Sequence, residues 1–293
     1  MDESPNYDIP AGVVVNLVAG VLSRKMHIPS ENLYHYTSFD GLQGILQSHT
    51  LWATDTRFFN DTTERAFAEA AMVAFLKSVE RDCELAFLEM LKDCISPTFG
   101  STFATCFCEN GDLLSMWRGY GSEDGYSIGF EGNALRGLLK PTFETFGKVM
   151  YGSDFAPIVN EFRELCEHMK KKREPAVTTQ DKHGVMGCFA QMLVLVKHPA
   201  FQEEQEWRIV IPRQPIDKVH FRSGPYGPKP YVRVPVIQDD GGEMRHAKLP
   251  IRQIIVGPTA KSPVAEDVVN QMLEKYGYGD SVVVSSSAIP YRT

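Results

Sequence analysis

From Glu206 onward the sequence is built of short β-forming runs. Glu206–Ile211, Lys218–Phe221, Tyr231–Val236, Ile251–Val256 and Ser281–Val284 are rich in β-branched and aromatic residues, and glycine or proline punctuates them. Runs of the same kind occur earlier, at Leu33–Thr37, Leu51–Thr54 and Phe103–Cys108. Gly125–Glu131 alternates, with Tyr126, Ile128 and Phe130 toward one side and Ser127, Gly129 and Glu131 toward the other. Helical stretches are mixed with these strands without regular βαβ alternation. That pattern predicts an α+β fold around a mixed, mainly antiparallel β-sheet with a helical insertion.

The helical stretches have their own signals. Residues 1–10 read as a tail, followed by a short apolar helix at Val13–Leu22. Ser38 caps a helix whose apolar stripe is Leu42, Ile45 and Leu46. Asp61, with Glu64 three residues on, opens the longest helix, whose face continues through Phe67, Ala71, Ala74, Val79, Cys83, Ala86 and Met90. Asp112 caps a short helix through Trp117. Residues 152–200 are mostly helical, and the run Lys170–Arg173 is a solvated helix end. Ser262-Pro263 starts a last helix that Gly277 ends. No linker composition divides the chain, so residues 1–32 are expected to form a tail and short helix. Residues 33–293 are then one domain, with a helical insertion at about 152–200.

Composition removes several functional classes. With 30 Lys and Arg against 37 Asp and Glu, the net charge is −7, which disfavours sequence-independent nucleic-acid binding, since that needs a basic face. No apolar run approaches the roughly 20 residues that span a bilayer, and the first residues are acidic. A cytoplasmic location is the expectation, in keeping with six cysteines that form no CxxC pair and read as reduced thiols. There is no glycine-rich phosphate loop, no His-Glu-x-x-His and no Gly-x-Ser-x-Gly.

Three segments are denser in polar and aromatic residues than a core requires. In Leu33–Ser38, His35 and Thr37 share one strand face and Tyr34 and Tyr36 the other. The His35–Thr37 shelf can hydrogen-bond a ribose diol, or His35 is a core histidine satisfied by backbone. In Phe107–Tyr120, Ser115 and Arg118 cluster at helical spacing and Trp117 and Tyr120 lie three apart. Aromatic walls with an arginine suit a planar ring beside a phosphate, although packing on the sheet accounts for them equally well. In Phe201–Ile211, Glu204 and Glu206 lie two apart at the mouth of an apolar strand. They form either a carboxylate pair on one side or an acidic loop with Arg208 pairing to a glutamate.

Together these segments resemble a family of uncharacterised bacterial proteins. The motifs that carry the resemblance are His35–Ser38, Phe59-Asn60-Asp61 with Glu64, Met116-Trp117–Tyr120 with Gly125–Phe130, and Glu204–Arg208. Ile255–Pro258 and Ile289–Arg292 close the series, so the likeness spans about residues 33–292. That family in turn resembles a divergent branch of the ADP-ribosyltransferase superfamily, which implies a split antiparallel sheet gripping NAD without a metal. The resemblance assigns His35 and Thr37, with Tyr36, to the nicotinamide–ribose region. It also places Asn60, Ser115, Trp117, Arg118, Tyr120 and Tyr126 in the NAD site, with Trp117, Tyr120 or Tyr126 stacking on nicotinamide. Glu206 is the carboxylate that supports the oxocarbenium-like transition state, and Glu204 is the second carboxylate.

What the resemblance implies is transfer of ADP-ribose to an unknown acceptor, protein or nucleic acid, or hydrolysis of NAD when water is the acceptor. A role as a bacterial toxin or antiviral effector, with an antitoxin or chaperone partner, follows by analogy alone. A different class of reading is a catalytically inactive form of the fold that binds a nucleotide or a partner. A metal-dependent nuclease built on Glu203, Glu204 and Glu206 ranks behind both, because no second carboxylate cluster matches theirs.

Overall fold

The computed structural model describes residues 32–59, 63–82, 88, 89, 92, 102–121, 124–139, 145–152, 163, 167, 187, 190–224, 227–240, 243–260 and 262–291. The N-terminal tail, the helix at Val13–Leu22, the Asn60-Asp61 pair, Cys83 and the run Lys170–Arg173 lie outside the described residues. The chain divides into two compact units. One comprises residues 1–26, 61–101 and 150–198, and the other residues 27–60, 102–149 and 199–293. Residues 61–101 and 150–198, assigned on sequence to one domain with the rest, cluster with each other in the first unit.

The second unit holds a sheet of ten strands, mixed with helices and mainly antiparallel. Its elements in chain order begin with β1 (Asn32–Thr37), α1 (Phe39–Ser48) and β2 (Thr50–Asp55). Ser38 accepts a hydrogen bond from the Gly41 amide, as expected of the helix cap, and α1 buries Leu42, Ile45 and Leu46. The sheet continues with β3 (Phe103–Cys108), then α3 (Leu114–Tyr120), β4 (Tyr126–Glu131), α4 (Gly132–Gly137) and β5 (Thr145–Lys148). After β8 (Glu206–Ile211) come β9 (Val219–Arg222), β10 (Lys229–Pro235), β13 (Ile251–Val256), α5 (Ala265–Lys275) and β14 (Val283–Ser286). The hairpin β11 (Ile237–Asp240) and β12 (Glu243–His246) pairs separately.

One feature of the pairing governs the rest. Along one edge β3 pairs with β8 over its whole length, from Phe103↔Ile211 to Cys108↔Glu206. Along its other edge it meets two strands: β2 at Thr54↔Ala104 and Asp55↔Phe103, and β1 only at Tyr34↔Cys108. The sheet therefore forks. One arm is β1, β4, β13 and β14; the other is β2, β10 and β9; β3, β8 and β5 are the stem.

Paired residues share a face of a sheet. Leu33, Phe107, Ile128, Phe130, Phe146, Trp207 and Ile209 fall on one face and form the main core, continued by Val232, Val234, Val269 and Leu273. Phe107 meets Phe130 and Phe146 edge-on at ring separations of 5.8 and 6.2 Å. Truncating such a buried ring to alanine costs about 3–5 kcal/mol. The opposite face carries Tyr36, Cys108, Met116 and Trp117 in a smaller cluster with Ile255.

In the first unit α2 (Glu64–Ser78) buries Ala68, Ala71, Met72, Phe75 and Leu76. A parallel pair, β6 (Met150–Tyr151) with β7 (Val196–Lys197), lies in the same unit. Lys197 and Glu64 approach to 3.9 Å, both largely buried.

Several boundaries differ from the sequence reading. Helix α2 starts at Glu64 behind Thr63, without a side-chain cap, and ends at Ser78; residues 79–82 form turns rather than a continuous helix to 92. Asp112 is not a backbone cap: Leu113 holds the cap position of α3. Helix α5 starts at Ala265, two residues past Pro263. Its end is as expected: Gly277 takes φ +79° while the Tyr278 amide reaches back to the Leu273 carbonyl, the geometry of a Schellman cap.

Candidate functional site

At the fork the backbone ladder between β1 and β3 stops after one pair, and a side chain continues it. His35 Nδ1 lies 2.8 Å from the carbonyl oxygen of Cys106. A carbonyl only accepts, so Nδ1 carries the proton and Nε2 presents a lone pair. Among the described residues nothing bonds to Nε2. Burial pushes the imidazole down to about 4, the Cys106 hydrogen bond opposing this and the positive charge of Arg222 adding to it. His35 is therefore neutral near pH 7, part-buried, and packed at 5.9 Å against Phe107. Thr37 lies on the same face and is buried. A Cβ on Gly41 would sit 1.9 Å from Thr37 Oγ1, so the helix behind β1 closes on it through a glycine.

Glu206 opens β8 and Arg208 follows two residues later on the same face. The guanidinium grips the carboxylate with two hydrogen bonds, Nε to Oε1 at 2.8 Å and Nη2 to Oε2 at 2.9 Å. Both are almost fully buried, at 3% and 1% exposure, and Arg208 lies 5.2 Å over the Phe59 ring. The pairing of Arg208 to a glutamate is one of the two alternatives the sequence offers for this segment. Register from Glu206 through Cys108 to Tyr34 puts Glu206 with Tyr34 and Tyr36, on the face opposite His35 and Thr37. The ladders thus put His35 and Thr37 on one face and Glu206 on the other.

Glu204 also departs from expectation. It ends a 3₁₀ turn (Pro199–Glu204), and Gln205 has φ +42° before β8 begins. The strand does not start early enough for its two-residue period to reach Glu204. Glu204 is part-buried and shares no strand face with Glu206.

The aromatic segment before α3 is largely framework. Tyr36 donates its hydroxyl proton to the Asn110 carbonyl at 2.9 Å and accepts from the Leu113 amide at 2.9 Å. Burial drives its pKa well above the ordinary tyrosine value. Trp117 stands edge-on to Tyr36 at 4.8 Å and donates Nε1–H to Asp112 at 2.7 Å. Asp112 also accepts from Ser287 Oγ and the Ala288 amide, so it ties the C-terminal segment to α3. A buried ring held this way has no open face for nicotinamide. Tyr126 is buried against Phe39 at 6.3 Å, and burial raises its pKa. Ser115, Arg118 and Tyr120 lie on the exposed side of α3, where Arg118 stands 5.2 Å over the Tyr291 ring. Of the aromatic candidates Tyr120 alone has substantial exposure, 40%. Asn60 lies outside the described residues.

The other arm contains a group the sequence reading passed over. Trp52 and Tyr231 stack at 4.8 Å, and Arg222 lies 5.8 and 6.0 Å from their ring centres while donating to Thr54 Oγ1 at 2.7 Å. A tryptophan in a run as short as Leu51–Thr54 was the available signal. The arginine joins it only through the pairing of β9, β10 and β2. Among the described residues no group of three His, Cys, Asp or Glu side chains could hold a metal ion, and no helix is long and apolar enough to cross a membrane.

A family model described as "Protein of unknown function (DUF2971)" matches residues 116–209. The matched stretch runs from α3 into β8 and contains Trp117, Tyr120, Tyr126, Glu204 and Glu206. No curated protein and no solved structure matches the chain.

Proposed function

We propose that this chain is an ADP-ribosyltransferase-type protein that holds NAD at the fork of its sheet and transfers ADP-ribose to a macromolecular acceptor. The observation that carries the reading is His35: a neutral imidazole set where two strands part, with Nε2 open as an acceptor. Such a group can take a hydrogen bond from a ribose hydroxyl, as the resemblance in the first-strand motif implies. Breaking the nicotinamide–ribose bond sends its electron pair to nicotinamide and leaves positive charge on the sugar. A carboxylate in a water-poor site stabilises that charge. Glu206 is the carboxylate assigned to this step. Arg208 holds its carboxylate with two hydrogen bonds, and the step requires that the pair open toward the fork.

The same pair favours a second reading, a nucleotide-binding form of the fold without turnover. Glu206 is engaged on the face opposite His35, so in this reading it braces the stem and His35 serves binding alone.

Labelled NAD incubated with the protein, alone and with cell extract, separates the two. The transferase reading expects nicotinamide release and label on an acceptor, both reduced on the order of 10²-fold in Glu206→Gln when corrected for folded fraction. NAD binding that is weakened in His35→Ala, with no nicotinamide released by the wild type, selects the binding reading. Failure to bind NAD at all overturns both.

A further inference from the structure

Arg222 occupies an unusual position for an arginine. Its guanidinium is part-buried on the β2–β10–β9 arm, and among the described residues one of its five N–H donors is used, toward Thr54 Oγ1. No carboxylate pairs with it among the described residues. Arginine does not shed its proton in proteins, so the charge persists. Burial lowers its pKa from the ordinary value. Lys229, its partner across the β9–β10 ladder, adds a second cation beside it; burial first and then the Arg222 charge lower the Lys229 pKa. His220 stands 5.4 Å from Tyr231 on the same arm. The buried indole Nε1–H of Trp52 has no acceptor either. Trp52 and Tyr231 also line a cavity of about 570 Å³ with Asp40, Gln43 and Gln47 of α1 and with Arg233.

Desolvated donors and an uncompensated charge are costly unless something meets them. Stacked aromatics offset part of that cost, but a cation about 6 Å from a ring centre is at the limit of that attraction. A doubly charged oxyanion meets the remaining requirement: a guanidinium fork binds phosphate oxygens two at a time. Nucleic acid is the weaker candidate, given the net charge of −7.

We infer that Arg222, with Thr54 orienting it and Lys229 beside it, is the seat of a diphosphate, and that the Trp52–Tyr231 cavity beside it accommodates the attached nucleoside. The identity of the nucleotide as NAD rests on the proposed function; the anion seat itself rests on Arg222. No residue of this seat belongs to the set assigned from the resemblance.

The test is calorimetric titration of the full chain with inorganic pyrophosphate, ADP and adenosine, alongside thermal melts. The wild type should bind pyrophosphate and ADP, and both should raise its melting temperature. Adenosine should bind at least 10-fold more weakly than ADP. Arg222→Gln should weaken pyrophosphate and ADP at least 10-fold while melting no lower than the wild type, because it removes an unpaired buried charge. Arg222→Lys, which keeps the charge and loses the fork, should fall between the two. Thr54→Val keeps the arginine but removes the hydrogen bond that orients it and should weaken ADP several-fold, which keeps the test decisive if Arg222→Gln is poorly folded. Pyrophosphate and ADP affinities unchanged in Arg222→Gln, or absent from the wild type, overturn the inference. Arg222-dependent pyrophosphate binding in a protein that releases no nicotinamide sinks the transferase reading and leaves this seat standing.

Discussion

His35 acts as a backbone substitute: where β1 peels away from β3, its ring supplies the donor that the next ladder residue would have supplied. That role has a pH signature. The folded-state pKa is about 4, below the ordinary 6.5, so as pH falls the unfolded chain takes up the proton first. The stabilisation is complete above pH 6.5 and is lost as pH falls toward 4. The gap corresponds to about 3 kcal/mol. Urea unfolding between pH 7 and 4 should show this loss in the wild type, and His35→Gln should flatten it, since an amide can donate to Cys106 without titrating. NMR titration of the imidazole with a midpoint near 6.5 would refute the assignment.

At the level of elements, β8 is where sequence pattern and structure part company most usefully. The strand runs, the burial of Glu206 and its pairing with Arg208 are all visible in Glu206–Ile211, because apolar neighbours and a cation two residues away are local facts. The alternation of β4 and the Ser38 cap are local in the same way. Which face of the sheet Glu206 shares is not local. It depends on the register Cys108↔Glu206 and Tyr34↔Cys108, and a single strand's period does not encode how two strands align. Glu204 was misread for a related reason: one left-handed residue, Gln205, resets the phase, and glutamine gives no warning of it. The structure also changes what Glu206→Gln does. Neutralising one member of a buried two-pronged pair removes the charge that the guanidinium grips, so the variant should lose about 3–5 kcal/mol in chemical unfolding. The double variant Glu206→Leu with Arg208→Met should recover most of that loss. Additive losses in the cycle would show that the pair is not a unit.

At the scale of the whole molecule, every ladder of the forked sheet is internal to the second unit. On either side of residues 61–101 the Thr56 amide bonds to the Thr102 carbonyl at 2.9 Å. A chain in which short Gly-Ser linkers replace residues 61–101 and 150–198 should therefore keep its strands and unfold in one cooperative transition. Circular dichroism with urea reads this, and a shallow, non-cooperative profile would contradict it. The fork has a further consequence, in time rather than space. Within its arms, β9 with β10 and β13 with β14 pair strands consecutive in the chain, whereas β1 meets β4 at Thr37↔Tyr126 and β2 meets β10 at Thr54↔Tyr231, far apart in sequence. The stem likewise joins β3 to β8 across a loop of about a hundred residues, and closing a loop of that size costs several times RT. The place where His35 meets Cys106 therefore comes into being only through pairing of strands distant in sequence, the kind of contact that slows folding.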